Sequence, residues 1–95
     1  MNMRQERLWE RMIAAIDEYK ANGTGFSTMV GELEGNLDAG EFRNRALVDE
    51  WYRYWTDLET IRAVAGDSVG YSDVSEVVDT MHRFLSDKLV EHRAG

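Results

Sequence analysis

The stretch from Leu47 to Ile61 constrains the fold of this chain more than any other. It runs Leu47-Val48-Asp49-Glu50-Trp51-Tyr52-Arg53-Tyr54-Trp55-Thr56-Asp57-Leu58-Glu59-Thr60-Ile61 and holds two of the three tryptophans and two of the four tyrosines. At about 100° per residue, Leu47, Trp51, Tyr54, Leu58, Ile61 and Ala65 share one narrow helical stripe. Trp55, Val48 and Tyr52 widen the apolar arc to roughly half the helix circumference. A helix lying against one neighbour needs less. This one packs against two neighbours at once, or offers part of its face to a partner.

Three more amphipathic segments surround it. The first is expected from Arg4 to Ala21, with Leu8, Met12, Ala15, Ile16 and Tyr19 as its core stripe and Trp9 and Ile13 flanking. Glu6, Arg7, Glu10 and Arg11 mix signs on the opposite side, the pattern of a solvated face. Asn22-Gly23 stops this helix, with Gly23 placed for a left-handed cap. The second is expected from Ser27, as N-cap, to Asp38 or Ala39, with Phe26, Met29, Val30, Leu33 and Leu37 inward. Gly40 ends it, and Phe42 in the connector tucks toward the core. The third starts at Asn44 or Arg45 and ends at Ala65, capped by Gly66. The fourth starts at Ser72 or Asp73, where Asp73-Val74-Ser75-Glu76 has capping-box spacing. Its stripe is Val74, Val77, Val78, Met81, Phe84, Leu85 and Leu89, and Lys88, His92 and Arg93 sit in the last turn where the dipole favours cations.

No alternating strand pattern is present, and there is no proline. Ninety-five residues make one small domain. Four amphipathic helices with short loops predict an all-α antiparallel four-helix bundle.

Composition narrows the chemistry. There is no cysteine, so no disulfide, thiolate nucleophile or Cys-based zinc site. The start mixes acids with bases and has no apolar core, unlike a signal peptide, and no apolar run approaches about 18 residues. A cytoplasmic protein is expected. Eighteen acids against 11 bases give a net charge of −7. Nucleic acid and anionic membranes both demand a basic footprint and are excluded as partners; a basic protein partner is favoured. The serines lack a nucleophile-elbow motif. Asp79-Thr80-Met81-His82 is a single acid-x-x-His pair with no second pair to complete a bundle metal site. The expectation is a non-enzymatic protein with no cofactor and no bound metal.

What remains is surface. The outer side of the second helix breaks local rules that its core side obeys. Gly31 and Gly35 each cost roughly 1 kcal/mol relative to alanine inside a helix. Asp38, and Glu41 after it, oppose the helix dipole by some tenths of a kcal/mol each. From Glu32 to Glu41 there are four acids and no base. Gly31, Glu32, Glu34, Gly35, Asp38 and Glu41 are therefore candidate partner-binding residues: the glycines admit a partner close to the backbone, and the acids meet its Lys and Arg. Tyr52, at the edge of the aromatic arc with Asp49, Arg53 and Thr56, is a further candidate, since tyrosine is frequent in binding hot spots. Its alternative role is to cover the core beside the first helix.

The runs Val30-Gly31-Glu32-Leu33-Glu34-Gly35-Asn36-Leu37-Asp38 and Trp51-Tyr52-Arg53-Tyr54-Trp55-Thr56-Asp57-Leu58-Glu59 resemble small acidic helical bacterial proteins. The resemblance is in kind to the helical immunity proteins of colicin and contact-dependent inhibition systems. It covers architecture, size and charge and transfers no site residues. It implies an inhibitor that docks an acidic face over a basic, nuclease-like toxin domain. The alternatives are a homodimer sealed through the aromatic arc of the third helix, and a small-molecule-binding bundle with a pocket near Trp51 and Trp55.

Overall fold

The structure is a computed structural model that describes residues 3–40 and 42–94. Four helices follow one another: α1 (Met3–Lys20), α2 (Phe26–Gly40), α3 (Arg45–Ala65) and α4 (Tyr71–Ala94). Loops of a few residues force each helix to reverse on its predecessor. Side-chain pairings confirm the antiparallel sense: Gln5 meets Gly40, Trp55 meets Val30, Tyr54 meets Phe84 and Arg93 meets Glu6. α1 packs on α2 and α4, and α3 packs on the same two. The diagonals, α1 with α3 and α2 with α4, make no backbone-level contact among the described residues. This is the all-α four-helix bundle the spacing predicts. Among the described residues, no helix is long and apolar enough to cross a membrane.

One continuous core contains all the predicted stripe residues of α2 and most of those of α1 and α4. No polar or charged residue is fully buried among the described residues. Trp9 departs from expectation. It is not a flank but fully buried, because its indole fills the end of the bundle between Phe42 (centroids 5.0 Å apart) and Phe84 (6.4 Å). Gly40, also buried, makes that end possible. A Cβ there would collide with the Phe42 ring, so the missing side chain is the space the ring occupies. The Gln5 amide then donates to the Gly40 carbonyl at 2.9 Å, satisfying one of the carbonyls left open at the end of α2.

The caps are partly as predicted. Asn44 Oδ1 accepts from the Leu47 N–H at 3.1 Å, and Gly66 closes α3 with φ 57° and ψ −128°, a conformation L side chains rarely adopt. Three caps differ. At the end of α1 the residue with positive φ (64°) is Asn22, not Gly23. The Gly23 N–H reaches Glu18 O at 2.8 Å and the Asn22 N–H reaches Tyr19 O at 3.0 Å, which is a Schellman pair with Asn22 in the left-handed position. At the start of α2, Ser27 is not the cap but the capped group. Its N–H donates to Asp67 Oδ1 at 2.7 Å, across 40 residues. At the start of α4, Asp73 lies inside the helix and reaches back to the Gly70 N–H at 3.1 Å. The helix therefore begins at Tyr71, and Asp73 serves as the inner acid of a box, not its first residue.

Trp51 is fully buried, and with Leu58 it is one of two buried residues on α3. Trp51→Ala is expected to lower stability by about 3–5 kcal/mol, out of roughly 5–14 kcal/mol for a domain of this length. A thermal melt would show it as a loss of folded protein near ambient temperature; an unchanged melt would mean the phase of α3 is wrong. Asp67→Ala should cost about 1 kcal/mol by uncapping α2, a fall of about 4–8 °C in melting temperature.

Candidate functional site

The outer side of α2 is built by simple phase. With Met29, Val30, Leu33 and Leu37 turned into the core, Gly31 and Gly35 come to the crest and both are exposed. A Cβ added at either would meet nothing within 4 Å. No steric demand of the fold therefore explains either glycine.

The acids do not stay together. Glu32, with Asn36 one turn on, faces the α1 side and lines a groove of about 490 Å3 with Arg11, Ala14, Glu18 and Thr24. The Asn36 amide donates to the Glu32 backbone carbonyl at 2.8 Å, which fixes that edge. Glu34 and Asp38 face the other way, toward α3. Glu41 lies outside the described residues. The candidate face read from the sequence is thus one arc divided between two grooves.

Tyr52 belongs to the α3 side of that arc. It does not cover the core beside α1, because α1 and α3 are diagonal in the bundle. Its ring makes an edge contact with Trp51 (5.0 Å) and with Trp55 (5.8 Å), which stack on each other at 5.9 Å. Partial burial pushes its hydroxyl above the usual phenol range, and the Asp38 and Glu34 carboxylates push it the same way. Glu34, Asp38 and Tyr52 therefore share one electrostatic site. Beside them Leu37, Phe42 and Val48 complete a recess of about 160 Å3. The sequence pattern turns Leu37, Phe42 and Val48 toward the core, but their meeting beside Asp38 and Tyr52 depends on the register of α2 against α3.

Several charges elsewhere are paired between helices. Arg93 bonds Glu6 at 3.0 Å and Glu10 at 2.6 Å, so these two acids of α1 are held by α4 and not merely solvated. Lys20 pairs with Asp79 at 2.7 Å, and Lys88 reaches Glu91 at 3.3 Å and Glu50 at 3.9 Å. Glu32, Glu34 and Asp38 have no cationic partner among the described residues, and α2 carries no base.

A second constellation appears in the α1–α4 groove. His82 Nε2 lies 3.1 Å from Asp17 Oδ1, and Ser86 Oγ lies 3.4 Å from His82 Nδ1. The order Ser, His, Asp is that of a nucleophile relay, and no local motif announces it because Asp17 comes from another helix. The surroundings do not suit acyl transfer. Ser86 stands in the middle of α4, where backbone N–H groups are committed to the helical ladder and form no oxyanion hole. The row acts as a clasp between two helices. Among the described residues, no group of three or more His, Asp or Glu side chains is arranged to hold a metal ion.

Comparison of the chain with protein-family models, with characterised proteins and with solved structures finds no match.

Gly31→Ala and Gly35→Ala should each stabilise the protein by about 0.5–1 kcal/mol, since the helix gains propensity and the methyl meets open space. A fall in melting temperature for either would mean the crest is packed. Acid pH tests the α1–α4 seam. Hydrogen bonds from Lys20 and then Tyr71 hold Asp79 below the usual carboxylate value. A depressed carboxyl stabilises the fold above its unfolded value, near 3.9, and that contribution is lost as pH falls through the folded value. Lys20 is raised, chiefly by its bond to Asp79, so its share is lost only as pH rises above about 10.4. Denaturant melts from pH 5 to pH 2 should therefore show Asp79→Asn with a flatter acid limb than the parent protein.

Proposed function

We propose that this chain is a non-enzymatic protein-binding domain of immunity type, which sets the α2–α3 face over a basic, nuclease-like toxin domain. The observation that carries the reading is the division of charge. Lys20, His82 and Arg93 are matched to acids across the α1–α4 seam, whereas no acid of α2 has a cationic partner among the described residues. Those acids flank two glycines that the fold does not need. A face of this kind meets a Lys- and Arg-rich surface at close range, speeds encounter with it, and covers the groups a nuclease uses to hold phosphate.

Homodimerisation through α3 is less well supported. Trp51, Trp55 and Tyr54 are turned toward α2 and α4, and the outward side of α3 carries Asp49, Arg53, Thr56 and Thr60, all exposed. A bundle that binds a small molecule beside its tryptophans is also less well supported, because Trp51 is fully buried and the Tyr52 recess is lined by neither tryptophan.

Calorimetric titration against the product of the neighbouring gene tests the proposal. The expected result is a complex tighter than about 1 µM. It should weaken at least about tenfold between roughly 50 and 500 mM salt and on charge reversal at Glu34 and Asp38. Glu34→Ala should change stability by less than about 0.5 kcal/mol, so lost binding would not reflect lost fold. No complex, or a complex indifferent to those reversals, removes the proposal.

A further inference from the structure

The recess beside Tyr52 has a composition the rest of the acidic face lacks. Leu37, Phe42 and Val48 give it apolar walls, Tyr52 gives it an aromatic edge, and Asp38 places a carboxylate at its mouth. Its volume is about 160 Å3, below the roughly 300–1,000 Å3 of sites that enclose a small-molecule ligand. At roughly 30 Å3 per water, it has room for a few waters or for the end of one side chain. Leu37 is buried at its base, while Phe42, Val48 and Tyr52 are only half-buried and keep apolar surface in water that an occupant would cover.

The polar groups at the mouth are uncommitted. Neither the Asp38 carboxylate nor the Tyr52 hydroxyl has a hydrogen-bond or ion-pair partner among the described residues, and Glu34 stands behind them one turn along α2. The field of both carboxylates is felt at the Tyr52 hydroxyl, which they help to hold in its neutral form.

We infer that this recess is a socket for one arginine side chain of a protein partner, its guanidinium stacked on Tyr52 and bonded to Asp38, its methylenes along Leu37, Phe42 and Val48. The inference rests on the α2–α3 face being a docking surface and names the group which that surface takes. Arginine fits better than lysine for three physical reasons. Its planar head stacks on an aromatic ring, its fork matches a carboxylate, and it sheds water more readily than an ammonium. Its long stem also tolerates apolar walls. An acidic or purely apolar occupant would leave Asp38 repelled or unpaired.

The test uses the whole chain and short peptides. The ¹⁵N-labelled protein is titrated with acetyl-Gly-Arg-Gly-amide, and in parallel with its lysine and citrulline counterparts. Shifts concentrated at Leu37, Asp38, Phe42, Val48 and Tyr52, strongest for arginine and near zero for neutral citrulline, are expected. Asp38→Asn and Tyr52→Leu should each weaken the arginine response by about tenfold. Asp38 is exposed, so its variant keeps the fold. Three results overturn the socket: equal responses to arginine and citrulline, shifts spread evenly over Glu32, Asp49 and Glu76, or a dimer of this chain that Asp38→Asn abolishes, which would put the arginine on a second copy. If the socket fails while the salt-sensitive complex with the neighbouring gene product forms, the docking-face reading stands without it. If arginine fills the recess but no such complex forms, the socket stands and the toxin-inhibitor reading falls.

Discussion

The fold hangs on the burial of one indole. Trp51 is fully enclosed at the middle of the bundle, and only Leu58 joins it in full burial on a helix of 21 residues. Its indole N–H has no hydrogen-bond partner. An unmet buried donor costs about 1–3 kcal/mol, while covering the roughly 150–250 Å2 of a tryptophan at roughly 25 cal/mol per Å2 returns about 4–6 kcal/mol. Area wins, and the residue stays in. Trp55, one turn away, solves the same problem differently. It remains half-exposed and donates its N–H to the Val30 carbonyl at 3.1 Å. One tryptophan thus holds α3 to the core, and the other fixes the register of α3 against α2. That register is what brings Tyr52 and Val48 beside Leu37 and Asp38.

Side-chain ion pairs between helices gather at the α1–α4 seam, with Lys88 and Glu50 adding a longer contact between α4 and α3. Arg93, His82 and Lys20 tie α4 and α1 together along their length. Each pair is partly exposed, and such pairs contribute about 0–1 kcal/mol. Their role is alignment: Lys20 and Arg93, near opposite ends of the seam, meet their acids in the observed antiparallel register. The consequence for the rest of the surface is indirect. The bases drawn into the α1–α4 seam do not reach α2, whose acids have no cationic partner among the described residues.

Much of this architecture is legible in the order of the residues. Helical stripes follow from local spacing, so the four elements and most of the core can be read from residue type alone. The features that escape such a reading depend on two elements at once. Trp9 lies at the margin of the α1 stripe, and only the arrival of Phe42 and Phe84 makes that margin interior. Ser27 has the composition of a cap, but the acid that satisfies its N–H sits in the loop after α3. Asn22 and Gly23 can both adopt positive φ, and where the last turn of α1 closes decides between them. Phase places the outer arc of α2 correctly, yet phase does not show which groove each side chain enters. Glu32 therefore parts from Glu34 and Asp38, and the apolar half of the recess, Leu37, Phe42 and Val48, emerges only from the packing of α3 on α2.

That division changes what the two crest glycines mean. On a face acting as one acidic plate, Gly31 and Gly35 would only lower its height. Between two grooves they form a ridge without side chains, so a partner surface can rest on backbone at the crest and still reach past it into the Tyr52 recess. Alanine at both positions would give the helix about 1–2 kcal/mol in propensity, and nothing in the packing stands in the way. A domain this small has only roughly 5–14 kcal/mol of stability to draw on, so two unforced helix-breaking residues on one short arc are a sizeable local inconsistency. Sequences generally agree with their folds at every level except where a surface is used. Here the disagreement falls on a helix none of whose acids has a cationic partner among the described residues.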